Sequence, residues 1–246
     1  MASHHPKSPA SSRVYFRQWL AGRDFAADDP IGAQMANYVY AVGDADTGEA
    51  VLVDPCYAVD ELIDKAAHDG MRIVGALATH YHPDHVGGDL YGEQLQGVRE
   101  LLARCPCKVH VQRAEATWVQ RMTGCSHGDL ALHDSGDVVR VGAVPITLIH
   151  TPGHTPGSQC FLVDGKLLAG DTLFLQGCGR TDFPGGDARE LYLSLTQKLA
   201  KVPDDVVLYP GHAYDPRGHA GLGETRRSNF VFKPKSEAEW LAMFGG

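Results

Sequence analysis

Between Thr79 and Gly88 the chain reads Thr-His-Tyr-His-Pro-Asp-His-Val-Gly-Gly, directly after the apolar run Ile73 to Ala78. A short apolar run of this kind reads as a buried strand. The fold must therefore carry a core strand to its end and present there three imidazoles and a carboxylate within six positions. Side chains alternate along extended backbone, which sets His80 and His82 on one side. Pro83 then redirects the chain so that Asp84 and His85 approach from another direction, and Gly87 and Gly88 permit close backbone passage. One histidine in such a place is most often a polar loop residue, but four ligand-type side chains in six positions are a metal-binding pattern. Imidazole and carboxylate suit zinc, iron and manganese.

Further ligand types follow other strand-like runs. His154 sits in the Gly/Pro-rich turn after Pro145 to Ile149, Asp171 follows Leu167-Leu168-Ala169-Gly170, and His212 follows Val206 to Tyr209. Strand ends feeding loops on a rigid scaffold are where sheet proteins gather their ligands. The rest of the pattern is α/β. Tyr38–Val42 and Ala50–Asp54 read as a hairpin, and Asp60–Asp69 as a helix closed by Gly70. Helices are expected over Leu90–Ala103, Ala114–Met122, Asp187–Lys201 and Glu237–Phe244. Strands are expected at Lys108–Val111, Val138–Val141, Gln159–Val163 and Lys166–Ala169, the last two joined at Asp164-Gly165.

Length allows one large domain, expected over residues 14–246 with a short C-terminal tail, after a disordered leader at residues 1–13. His4 and His5 in that leader read as incidental. A net charge of -8 without a basic stripe argues against a nucleic-acid partner. No apolar run nears the roughly 20 residues needed to span a bilayer, so no membrane partner and a cytoplasmic location are expected. The six cysteines read as small hydrophobes, Cys105-Pro106-Cys107 being too little for a zinc site.

Residues 80 to 85 resemble the HxHxDH motif of the metallo-β-lactamase superfamily, and the resemblance runs from about Val14 to His212. It implies a four-layer αββα sandwich. Carried over by position, it implies one metal site of His80, His82 and His154, another of Asp84, His85 and His212, and Asp171 bridging them. Two divalent metal ions would follow, zinc foremost, with iron or manganese also suited. Within the superfamily, Gly170-Asp171-Thr172-Leu173-Phe174 and Gly177-Cys178-Gly179-Arg180-Thr181-Asp182-Phe183 resemble hydroxyacylglutathione hydrolases (glyoxalase II) and the related persulfide dioxygenases.

The resemblance therefore implies two chemistries. The favoured expectation is hydrolysis of a thioester such as a hydroxyacylglutathione, with a metal-bridging hydroxide oriented by Asp84 as the catalytic residue. The alternative is a mononuclear iron persulfide dioxygenase holding its ion through His80, His154 and Asp171, with His82, Asp84, His85 and His212 holding water instead. The substrate is expected to be a small molecule of glutathione-derived type, with a homodimer as the assembly entertained. Arg180 is a candidate for gripping a substrate carboxylate, and Arg226, Arg227, Lys233 and Lys235 offer further charge. Tyr81 is expected to face away from the ligands as a cleft wall, and Asp54 to hydrogen-bond the ligand loop.

Overall fold

The computed structural model describes residues 13–244; apart from Arg13, the expected leader lies outside the described residues. The first half builds a mixed sheet from β1 (Val14–Leu20), β2 (Tyr38–Asp44), β3 (Glu49–Val53), β4 (Arg72–Leu77), β7 (Lys108–Gln112) and β8 (Leu130–His133), with β5 (Gly88–Leu90) and β6 (Glu93–Leu95) as a separate hairpin. Its spatial order is β1-β2-β3-β4-β7-β8. The second sheet runs β14-β13-β12-β11-β10-β9, from β9 (Val138–Val141), β10 (Val144–His150), β11 (Gln159–Val163), β12 (Lys166–Gly170), β13 (Val207–Pro210) and β14 (Ala220–Gly221). The antiparallel pairs join strands consecutive in the chain; β3/β4, β4/β7, β7/β8 and β12/β13 pair in parallel because a helical crossover joins them.

The layering is legible in β2, which is buried along its whole length. Tyr38, Tyr40 and Val42 pack between the two sheets against Ile146, Leu148, Phe161 and Leu168, whereas Val39 and Ala41 face the other way into a helix-covered core. A strand covered on both faces must read as a continuous apolar run. The helices lie outside. On the first sheet these are α1 (Pro30–Met35), α2 (Val59–His68), α3 (Pro83–Val86), α4 (Val98–Arg104) and α5 (Ala116–Thr123). On the second they are α6 (Ala188–Leu193), α7 (Leu222–Ser228) and α8 (Glu237–Phe244), with Trp240 1% exposed in that outer core. Among the described residues, no helix is long and apolar enough to cross a membrane.

Two expected helices differ. Over Leu90–Ala103 the chain first forms the β5–β6 hairpin, turning at Tyr91 (φ 55°) and Gly92 (φ 92°), and α4 starts only at Val98. There the Glu100 carboxylate accepts from Gly97 N–H at 2.7 Å, an N-terminal cap that fixes the start. Over Asp187–Lys201, α6 is capped by Asp187, which accepts from Glu190 N–H, but the helix loosens into wider and then tighter turns after Leu193. Strands β1, β8 and β14 and helices α1 and α7 had no clear local signal.

Candidate metal centre

All seven proposed ligands leave the C-terminal ends of strands or the turns just beyond. His80 and His82 follow β4, Asp84 and His85 sit in α3, His154 follows β10, Asp171 follows β12 and His212 follows β13. The sheets bring these ends to one edge of the sandwich. Ligand atoms of His80, His82 and His154 lie within 4.8 Å of one another, as do those of His80, His85 and Asp171, and those of Asp84, His85 and His212. His82 Nδ1 is 3.0 Å from both His80 Nε2 and His154 Nε2. Across the cluster, His85 Nε2 is 3.2 Å from His212 Nε2 and 3.5 Å from Asp84 Oδ2. Asp171 stands between: Oδ1 is 3.4 Å from His85, and Oδ2 is 3.3 Å from His212 and 3.7 Å from His154.

The imidazoles are aimed from behind. His80 Nδ1 meets the Thr79 hydroxyl at 3.0 Å, His85 Nδ1 meets Asp54 Oδ2 at 2.9 Å, His154 Nδ1 meets Arg180 O at 2.6 Å and His212 Nδ1 meets Met35 O at 2.8 Å. Fixing Nδ1 turns Nε2 of each ring into the cluster, the arrangement of metal-ligating histidines. Asp54 has the expected place, accepting from Thr79 N–H at 2.7 Å and Thr79 Oγ1 at 2.6 Å as well as holding His85.

The cluster fits a cation. Among the described residues Asp171 Oδ1 is the buried side-chain oxygen without a hydrogen-bond partner, although it is surrounded by imidazoles. Orphaned buried oxygens are rare and call for a partner. Burial holds His80 well below its ordinary value and His82 down to about 3, which leaves their lone pairs free to coordinate. Burial also pulls on His85, but the carboxylates of Asp84, Asp171 and Asp54 outweigh it and raise that ring to about 10. A metal cation would take the place of that proton charge between the acids.

The cluster opens into a cavity of about 990 Å³. Its walls are aromatic and apolar: Tyr81 stacked on Trp118 at 4.9 Å, Phe183 edge-on to His82 at 5.2 Å, and Phe174, Tyr214 and Met122. Tyr81 is the cleft wall expected of it, its hydroxyl donating to Pro184 O. Arg180 also lines the cavity, but its guanidinium is paired with Asp182 at 2.5 Å and lies over the Phe183 ring. The backbone of Arg180, through its carbonyl, is what touches a ligand. Arg226, Arg227, Lys233 and Lys235 do not line this cavity; Arg226 instead donates to Leu199 O and Val202 O and pairs with Asp204.

Sequence reasoning missed Asn37 and Glu115. Asn37 donates its amide to Asp84 Oδ2 at 3.1 Å while its own oxygen accepts from Tyr57 O–H at 2.6 Å. Both lie in ordinary-looking sequence far from the ligands, and no local pattern marks them.

A family model described as the metallo-beta-lactamase superfamily matches residues 32–212. The human protein named persulfide dioxygenase ETHE1, mitochondrial, is 34% identical over 186 residues, covering 72% of this chain and 64% of the human protein, so the match spans less than two thirds of that relative. A Bacillus velezensis protein named probable polyketide biosynthesis zinc-dependent hydrolase BaeB is 30% identical, covering 84% of this chain and 86% of its own. Among solved structures, ETHE1 from Myxococcus xanthus matches with a TM-score of 0.77 at 30% identity, covering 94% of this chain and 90% of that one. The expected αββα fold and membership of a metal-binding superfamily are thus found. The expected thioester hydrolysis is overturned, because the likeness to persulfide dioxygenases in both sequence and structure favours the other chemistry. The physical reason for the error is that every ligand of the iron set also belongs to the dinuclear set, so counting ligands could not separate the two.

Proposed function

The chain belongs to the metallo-beta-lactamase superfamily of enzymes, and on that premise we propose that it is an iron-dependent persulfide dioxygenase acting on the persulfide of a small thiol. The observation that carries this reading is the joint likeness, in sequence and fold, to proteins named as persulfide dioxygenases. His80, His154 and Asp171 would hold one iron, a two-histidine, one-carboxylate set that leaves coordination positions open. When bound, the iron supplies the redox chemistry that joins dioxygen to sulfur. In the overall reaction a persulfide R–S–SH, dioxygen and water give R–SH, sulfite and two protons: the outer sulfur gives up four electrons and dioxygen accepts them.

The chain's own residues prepare that chemistry. Arg180 O and Thr79 Oγ1 fix the rings of His154 and His80 with Nε2 inward. Asp171 offers two oxygens to the cluster, one of them free of any hydrogen bond. Asn37 and His85 hold Asp84 to one side, and His212 is tied to Met35, so these polar groups form a network beside the triad. The aromatic wall of Tyr81, Trp118 and Phe183 gives the thiol carrier an apolar bed.

The test is metal content after anaerobic purification, followed by oxygen uptake with glutathione persulfide. One iron per chain, oxygen consumed mole for mole with persulfide, and sulfite released are expected. Two metal ions per chain with thiol release from a glutathione thioester and no oxygen uptake would overturn the proposal.

A further inference from the structure

The loops that carry the histidines come from different sheets, His80 and His82 from the end of β4 and His154 from the end of β10. One side chain ties the two together. Glu115 stands in the single turn between β7 and α5 and is 1% exposed. Its Oε1 accepts from Tyr81 N–H at 2.7 Å and from the Thr155 hydroxyl at 2.7 Å, and its Oε2 accepts from Gly157 N–H at 2.6 Å. Tyr81 lies between His80 and His82, and Thr155 follows His154. One carboxylate therefore bonds the immediate neighbours of three imidazoles, across the gap between the sheets.

The approach is close enough to dictate a neighbouring residue. A Cβ on Gly157 would stand 2.5 Å from Glu115 Cβ and 2.6 Å from its Oε2, distances that real contacts do not reach, so only glycine lets the loop reach the carboxylate. The loop end is further locked by Ser158, whose Oγ accepts from Thr155 N–H at 3.0 Å. A parallel strut, Gln112 to Gln159 at 3.0 Å and Gln159 to Ala78 O at 2.7 Å, joins the same two segments one step further from the cluster. Burial pushes the Glu115 carboxyl up to about 7 against its three donors. A neutral amide would avoid that cost but would present an N–H to one of those donors.

We propose that Glu115 is a positioning residue whose carboxylate sets the separation of the His80–His82 loop from the His154 loop, and thereby the hold of the centre on its metal ion. The inference needs a metal in the centre but not the dioxygenase reaction. Groups behind metal ligands typically change metal affinity by about 10–100-fold when removed.

The experiment uses the full chain loaded with cobalt(II), and reads the visible absorption of the bound ion and the rate at which a chelator removes it. Glu115→Gln and Gly157→Ala disturb the clamp from its two sides, and Ile146→Ala weakens the core between the sheets without touching either loop. Loss of cobalt roughly 10–100-fold faster, with a shifted absorption band, is expected for both clamp variants, while Ile146→Ala keeps the wild-type rate and spectrum. If Glu115→Gln does not fold, Gly157→Ala decides. Wild-type cobalt retention in a folded clamp variant, or equally fast loss from Ile146→Ala, would overturn the proposal. A failure of oxygen uptake alone would bear on the reaction and leave this result standing.

Discussion

Replacing Asp54 separates the scaffold of the metal centre from its ligands. The carboxylate, 3% exposed, accepts from Thr79 N–H, the Thr79 hydroxyl and His85 Nδ1 at 2.7, 2.6 and 2.9 Å. Its backbone also sits at φ 54°, a left-handed conformation that asparagine tolerates and alanine resists. In Asp54→Asn one acceptor oxygen survives, and the new amide N–H faces the His85 N–H. The loss is about one charge-assisted bond, roughly 2 kcal/mol. In Asp54→Ala both N–H donors lose their partner at about 1–3 kcal/mol each, so the two together cost about 4 kcal/mol. The Thr79 hydroxyl keeps its 3.0 Å contact with His80 Nδ1. The left-handed alanine adds about 1 kcal/mol, giving about 5 kcal/mol in all. Urea unfolding of the metal-free protein reads both values directly, provided the slope with denaturant is unchanged. For a chain of this size Asp54→Asn should lower Tm by about 4–8 °C. Both variants falling within about 0.5 kcal/mol of wild type, the range of ordinary surface substitutions, or alanine proving no worse than asparagine, would refute the reasoning.

Three further outcomes are expected. His85→Ala leaves His80, His154 and Asp171 in place, so metal analysis should still find one iron per chain; an iron-free protein would remove the mononuclear assignment. Arg13, with the Ala143 N–H, holds the Asp44 carboxyl down to about 2. A depressed carboxyl contributes stability that is present above its ordinary 3.8 and lost as pH falls through about 2. Acid unfolding followed by circular dichroism should therefore be less steep over that window for Asp44→Asn than for wild type, and equal slopes would contradict it. Phe161 is fully buried between the sheets, and Phe161→Ala should cost about 3–5 kcal/mol by urea midpoint; a cost below about 1 kcal/mol would mean that the two sheets can collapse onto the gap.

Much of the architecture was legible because its signals are local. β2, β3, β11 and β12 read as apolar runs because both faces of each are covered, whereas β10 buries Val144, Ile146 and Leu148 between the sheets and leaves Pro145 exposed. The α2 helix could be read from its spacing and from Gly70. The Leu90–Ala103 segment misled because its apolar residues fit a helix, while the turn at Tyr91-Gly92 and the cap at Gly97 are set by single backbone positions. Strand β1 had no distinct pattern; its pairing with β2 places it at the sheet edge.

The sequence by itself pointed to the side chains that the structure gathers into one cluster, since His80, His82, Asp84 and His85 are crowded into one segment and His154, Asp171 and His212 each close an apolar run. It could not choose between one metal and two, because both sets share His80, His154 and Asp171; the likeness to known proteins bears on the chemistry and not on that count. Only the tertiary structure decided how the centre is held. Asn37 reaches Asp84 across 47 positions, and Glu115 reaches Tyr81 across 34 and Gly157 across 42. Such bonds have no periodicity to read, because they depend on where two sheets place their loops and not on the spacing of residues along either strand.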